Sequence, residues 1–250
     1  MYILVDVGNT ACKFALLNKG KLDFVGRLFN SDVSLTKLKE MFSSVNSVKG
    51  IYISSVNPKI KEIVMISLKE ITGIEAVVID NTFFDSSFLK IDNKEELGVD
   101  LYCDLLAAKK EYKNEFAIID LGTATKILFV DKEGNFSSCA IFLGYQKSKE
   151  ILSNSTALLP NVKRGKIKPI SECHNTIDVI DSSAYFSHID SINGIIMRHE
   201  KDVGYSYRRI YTGGNFVDFK DEFYKENYDE YLVLKGIAII IESRENNEKN

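Results

Sequence analysis

ILVDVGNT occupies residues 3–10, and AIIDLGTAT occupies residues 117–125. Each is an apolar run, then Asp-x-Gly, then small hydroxyl or amide side chains. The two aspartates, Asp6 and Asp120, stand 114 positions apart. A short apolar run rich in branched residues reads as a buried strand. The glycine permits a tight turn and lets backbone N–H groups approach a ligand. Such groups together form a concave anion site. One Asp-x-Gly copy is more often an ordinary turn. Two copies, each at the start of a similar run of elements, point to a duplicated phosphate-gripping device.

The flanking pattern supports duplication. After Asp6, residues 11–17 and 22–29 alternate as strands do, with the turn NKGK (18–21) between them. Residues 35–42 and 60–71 have helical spacing, and Gly73 stops the second helix. GIYISSV (50–56) and EAVVID (75–80) read as buried strands. A loop is expected over 81–97 and a helix over 98–112. The order then restarts: strand 116–119, a hairpin through DKEGN (131–135), helices at 145–152 and 178–199, and a strand into TGGN (212–215). YLVLKGIAIII (231–241) is expected to be a strand leading into a terminal helix. The expected fold class is α/β: two similar RNase H-like domains, 1–112 and 113–250, each a β-meander followed by alternating helices and strands. A nucleotide cleft is expected between them.

Composition narrows the class. The chain has 250 residues, 45% hydrophobic and 27% charged, with a formal net charge of −3. This is globular composition with no basic excess pointing to nucleic acid. No run approaches a membrane span, and no secretory leader is visible, so a cytoplasmic location with no membrane or nucleic-acid partner is expected. Cys12, Cys103, Cys139 and Cys173 are scattered with no C-x-x-C pair and read as reduced, structural thiols. His174, His188 and His199 lack metal-ligand spacing and read as surface or internally satisfied side chains.

The chemistry of the loops follows from residue type. A carboxylate repels phosphate, so Asp6 is expected to hold Mg²⁺, directly or through water. Lys13 adds a point charge from the next strand. Asn9 and Thr10 add hydrogen bonds. The nucleotide-binding set is expected to be Asp6, Val7, Gly8, Asn9, Thr10, Lys13, Gly122, Thr123, Gly213 and Gly214. The Gly-Gly turn in that set is expected to let backbone approach a flat base.

Several strings together resemble type III pantothenate kinase, within the superfamily of actin, hexokinase and heat-shock ATPases. They are DVGNT with Lys13, SSVNP (54–58), EELGVD (95–100), DLGTAT (120–125), TALLP (156–160), TGG (212–214) and LKG (234–236). The resemblance covers nearly the whole chain. It implies ATP-dependent phosphorylation of pantothenate to 4'-phosphopantothenate, the first step of coenzyme A biosynthesis, in a homodimer. It implies that Asp100 is the catalytic base, although Asp at a helix start also reads as a cap. It implies a substrate set of Gly98, Val99, Asp100, Leu101 and Thr176. It further implies that Asp120 binds a monovalent cation, K⁺ or NH₄⁺. Asp104, four residues after Asp100, is expected to face solvent.

The departures gather on the acceptor side. Gly98-Val99-Asp100-Leu101 stands where the family has Gly-Ala-Asp-Arg, so the guanidinium suited to a carboxylate is gone. Ile91 replaces an aromatic residue, Lys126 a threonine, and Phe142-Leu143-Gly144 a Leu-Pro-Gly. Lys94, Lys126 and Arg164 are candidates to restore the lost charge. These departures motivate two alternatives: a kinase for a related neutral hydroxyl acceptor, and a nucleotide-binding, non-catalytic relative acting through a protein partner.

Overall fold

The computed structural model describes residues 1–163, 166–223 and 227–247. It divides into two compact units, Met1–Lys113 with Tyr231–Asn250, and Asn114–Glu230.

In the first unit, β1 (Tyr2–Val7), β2 (Ala11–Asn18) and β3 (Lys21–Phe29) form an antiparallel meander. β4 (Gly50–Ser55) and β5 (Ala76–Val78) extend the sheet in parallel, giving the order β3-β2-β1-β4-β5. Lys19 and Gly20 both have positive φ, as the tight NKGK hairpin requires. Two helices follow the expected spacing, α1 (Leu35–Met41) and α2 (Pro58–Thr72). Asn57 caps α2 by accepting from the Ile60 N–H at 3.2 Å, and Gly73 ends it in the left-handed region at φ 74°. Ile3, Val5 and Val7 join Leu38, Val64 and Leu68 in one core.

The opposite face of this sheet is covered too. α3 (Val99–Glu111) and α6 (Leu232–Asn247) pack against each other, and α6 also lies on β1, β2 and β4. β1 is therefore buried on both faces, which is why it reads as continuously apolar rather than alternating.

Three expectations are corrected here. Residues 231–241 are helical from Leu232 onward, with no strand. The segment also belongs to the first unit, so the expected second domain of 113–250 does not hold as a compact body. The reason is packing. Gly236 lies so close to the Cys103 backbone that any Cβ there would collide, and Leu232, Leu234, Ile237 and Ile241 are buried. Tertiary burial overrides the strand preference of the isoleucine run. Burial also corrects Asp104, which is 2% exposed rather than solvent-facing.

In the second unit, β6 (Phe116–Leu121), β7 (Ala124–Val130) and β8 (Phe136–Leu143) form the meander, and β9 (Arg208–Thr212) pairs in parallel with β6. The order β8-β7-β6-β9 repeats β3-β2-β1-β4. Where β5 would extend the sheet, a parallel bridge joins Tyr211 and Tyr228. α4 (Tyr145–Asn154) and α5 (Thr176–Val203) intervene before β9. Asn175 caps α5 through the Asp178 N–H at 3.0 Å, and Gly204 ends it at φ 77°.

Candidate functional site

In the first unit, Asp6 is near the end of β1, directly opposite Lys13 on β2 and Ser54 on β4. Val7 is buried and the Gly8 N–H closes the loop on the Ala11 carbonyl at 3.0 Å. Asn9 and Thr10 are exposed. Asn30 holds the loop from behind. Its Nδ2 donates to the Gly8 and Asn9 carbonyls at 3.0 and 2.9 Å, and its own N–H donates to the Thr10 carbonyl at 3.0 Å. Three loop carbonyls are thus committed by one residue, as a loop presenting N–H groups to an anion requires.

Asp100 is the second residue of α3 and not its cap. Gly98 is the cap and has no side chain to offer. The Asp100 Oδ1 folds back over Gly98, where a Cβ would come within 2.5 Å. Glycine at 98 leaves room for this rotamer of the aspartate. The carboxylate also complements the helix N-terminus. Asp6 and Asp100 share a neighbourhood around the buried Cys103. Burial pushes that thiol well above its ordinary value, and the charges of Asp104, Asp6 and Asp100 push it further. Cys12 is pushed up to about 12, by burial and then by Asp6. Both thiols stay protonated at neutral pH, as structural cysteines should.

Val99 is half-buried, and Leu101 is 6% exposed, inside the core. The position that carries arginine in the resemblance is used here for apolar packing. Its neighbour Tyr102, overlooked in the sequence, anchors the preceding loop. The Tyr102 hydroxyl accepts from the Asp85 N–H at 2.7 Å, and its ring stacks on Phe84 at 4.0 Å. Asp80, Asp85 and Asn93 each accept from the N–H two residues on, which winds the loop into three short 3-10 turns.

In the second unit the corresponding loop is built in the same way. The Asn215 Nδ2 donates to the Gly122 carbonyl at 2.9 Å, and the Asn215 N–H to the Leu121 carbonyl at 2.9 Å. This asparagine does for Gly122 what Asn30 does for Gly8. Thr123 is exposed, and its carbonyl accepts from the Gly144 N–H at 3.0 Å. Gly213, at φ 92°, lies against Asp120 and Leu121, with a Cβ there meeting the Asp120 Oδ1 at 2.5 Å. The Gly-Gly turn was expected to make room for a base. At Gly213 a side chain would run into the end of β6, so the turn requires glycine there. Gly214 follows it, half-buried.

Asp120 accepts an ion pair from Lys126 at 3.0 Å, with the side chains 15% and 21% exposed. Lys126 is therefore committed to Asp120 rather than to an acceptor. Of the other candidates for the missing charge, Lys94 is exposed in the loop before Gly98, and Arg164 lies outside the described residues. Thr176 is the exposed first residue of α5, and among the described residues no hydrogen bond ties it to the Asp120 loop.

Beneath this loop Thr125 Oγ1 meets His188 Nε2 at 3.0 Å, and burial holds His188 down to about 4. His199 stacks on Phe129 at 3.9 Å and bonds Ser138 and Tyr207, while His174 is exposed. Lys149 and Asp181 form a fully buried ion pair at 2.6 Å. The Tyr145 hydroxyl donates to the same Asp181 oxygen, and Lys149 also donates to the Lys163 carbonyl at 2.8 Å. Nothing in the local sequence marks that pair.

Among the described residues no three His, Cys, Asp or Glu side chains converge to hold a metal. Asp6 at the loop fits Mg²⁺ carried mainly by phosphate oxygens and water. No helix among the described residues is long and apolar enough to cross a membrane.

Comparison with known proteins places the chain in a family. A Persephonella marina protein named type III pantothenate kinase is 30% identical over 247 residues, covering 95% of this chain and 96% of its own. One from Ehrlichia canis is 29% identical, covering 99% and 98%. Among solved structures, a Campylobacter jejuni protein assigned to the Baf family of transcriptional activators superposes with TM-score 0.61 at 18% identity, over 98% and 99% of the chains. The Clostridium difficile activator of 2-hydroxyisocaproyl-CoA dehydratase, with bound ADPNP, gives 0.52 at 14% identity, over 100% and 97%. These two show the shared fold. The family model for type III pantothenate kinase matches residues 2–198, and the chain belongs to that family.

Proposed function

We propose that this chain transfers the γ-phosphoryl group of ATP to the primary hydroxyl of pantothenate, forming 4'-phosphopantothenate and ADP and opening coenzyme A synthesis. The observation that carries the reading is the repeated loop. In each unit Asp-x-Gly caps the first strand, and an asparagine from elsewhere ties down the loop carbonyls. The loop of Asp6, Val7, Gly8, Asn9 and Thr10, with Lys13, is assigned to phosphate. Gly122, Thr123, Gly213 and Gly214 are assigned to the nucleotide. Mg²⁺ held at Asp6, directly or through water, supplies charge neutralisation on the phosphate oxygens when bound.

Asp100 is assigned as the base. The acceptor oxygen forms a bond to the γ-phosphorus, the bond to the departing ADP oxygen breaks, and the hydroxyl proton passes to the Asp100 carboxylate. Phosphoryl transfer depends mostly on positioning and charge stabilisation, so orienting that oxygen is the main task of Asp100. Gly98 permits the carboxylate's folded-back position, and Val99 and Thr176 complete the assigned acceptor set. A homodimer belongs to this reading.

Leu101 favours one further reading: the same chemistry on an uncharged hydroxyl compound. A panel measuring ADP release with Mg²⁺-ATP decides between them. Pantothenate is expected to give higher kcat/KM than neutral pantothenamides. A neutral analogue that outcompetes pantothenate overturns the acceptor assignment, and no turnover with any acceptor overturns the kinase reading.

A further inference from the structure

We infer that Lys126 is a built-in substitute for a dissociable monovalent cation at Asp120, so that this kinase works without K⁺ or NH₄⁺. The inference rests on the proposed reading that the second-unit loop binds nucleotide.

Asp120 and Lys126 are direct cross-strand partners on β6 and β7. Their side chains therefore rise from the same face at neighbouring positions. The ammonium meets Oδ2 at 3.0 Å in a largely buried pair. The other oxygen, Oδ1, lies against Gly213, close enough that a Cβ there would stand 2.5 Å away. One carboxylate oxygen thus carries a fixed cation and the other is backed by the Gly213 turn. These residues do not fit a further monovalent cation on that carboxylate. A lysine head is an ammonium on a tether and matches NH₄⁺ in charge and hydrogen-bonding type.

The first unit has the same cross-strand placement. Asp6 and Lys13 are cross-strand partners at the corresponding place on β1 and β2. Both halves of the duplicated fold therefore set a lysine opposite the aspartate of Asp-x-Gly. A tethered charge needs no capture from solution and loses little additional freedom when nucleotide binds.

The test measures affinity and turnover in tetramethylammonium, Na⁺, K⁺ and NH₄⁺ chlorides at constant ionic strength. Affinity is read by calorimetry with a non-hydrolysable ATP analogue and Mg²⁺, and turnover by ADP release with pantothenate. For the native protein, both are expected to change less than about twofold among the salts. Lys126→Thr is expected to weaken analogue binding by at least about tenfold in tetramethylammonium, the scale of one charged hydrogen bond. K⁺ or NH₄⁺ should restore much of that loss. Stimulation of the native protein by K⁺ or NH₄⁺ of about tenfold or more, in either readout, overturns the inference. A Lys126→Thr protein that remains salt-independent and fully active also overturns it. Should that variant fail to fold by circular dichroism, the native protein's salt response decides alone. Salt-independent analogue binding without pantothenate turnover supports the inference and removes the acceptor assignment instead. No analogue binding in any salt overturns both.

Discussion

At the residue scale, the aspartates divide by what surrounds them. Asp100 is half-buried at a helix start, over a glycine that leaves it space. Asp100→Asn keeps the shape and removes the carboxylate proposed as the base. Its kcat is expected to fall by about 10²–10⁴-fold, while calorimetry gives an unchanged ATP-analogue affinity; equal turnover by the variant removes Asp100 from the chemistry. His188 belongs to stability. Its folded value is about 4 against an ordinary 6.5, because burial disfavours the charged ring. The folded protein keeps the ring neutral while the unfolded chain takes up a proton below 6.5. Its contribution is therefore complete above that value and is lost as pH falls toward 4. Urea midpoints measured between pH 7 and 4 should decline, and decline less steeply in His188→Gln.

At the element scale, the strands carrying both Asp-x-Gly loops were legible because apolar runs, turn residues and the repeat agreed. Less legible were features made by distant partners. Asn30 and Asn215 look like ordinary turn residues until the chain brings them under Gly8 and Gly122. Asp104 carries the charge of a surface residue yet sits in the core, and residues 231–241 carry a strand-like composition in a helix. On the acceptor side Leu101 reads as a loss of charge, and the fold shows what replaced it: core packing. The Lys149–Asp181 pair is similarly invisible, since its members are 32 residues apart on α4 and α5. Lys149→Met would leave the Asp181 carboxylate buried without its ammonium. That change is expected to cost about 3–5 kcal/mol, or roughly 6–20 °C in Tm by calorimetry. Adding Asp181→Leu should recover much of the loss, since an apolar pair can replace a buried ionic one.

At the scale of the whole molecule, two sheets repeat one strand order, but the units are not equal in how they are completed. The second is continuous, from Asn114 to Glu230, while the first needs Tyr231 onward. A fragment of residues 1–113 lacks α6 and exposes the faces of β1, β2 and β4 that α6 covers. It is expected to be insoluble or to melt without cooperativity by circular dichroism. Adding residues 231–250 as a separate peptide should restore a cooperative transition, and a cooperative 1–113 fragment alone would contradict this account. The placement of α6 also sets a timetable for synthesis. A ribosome adds residues at about 5–20 per second, so the N-terminal sheet waits roughly 6–24 s for its last helix after Lys113 is made. During that wait the uninterrupted second unit is the first body able to finish. The sheet that is made first is therefore the one completed last.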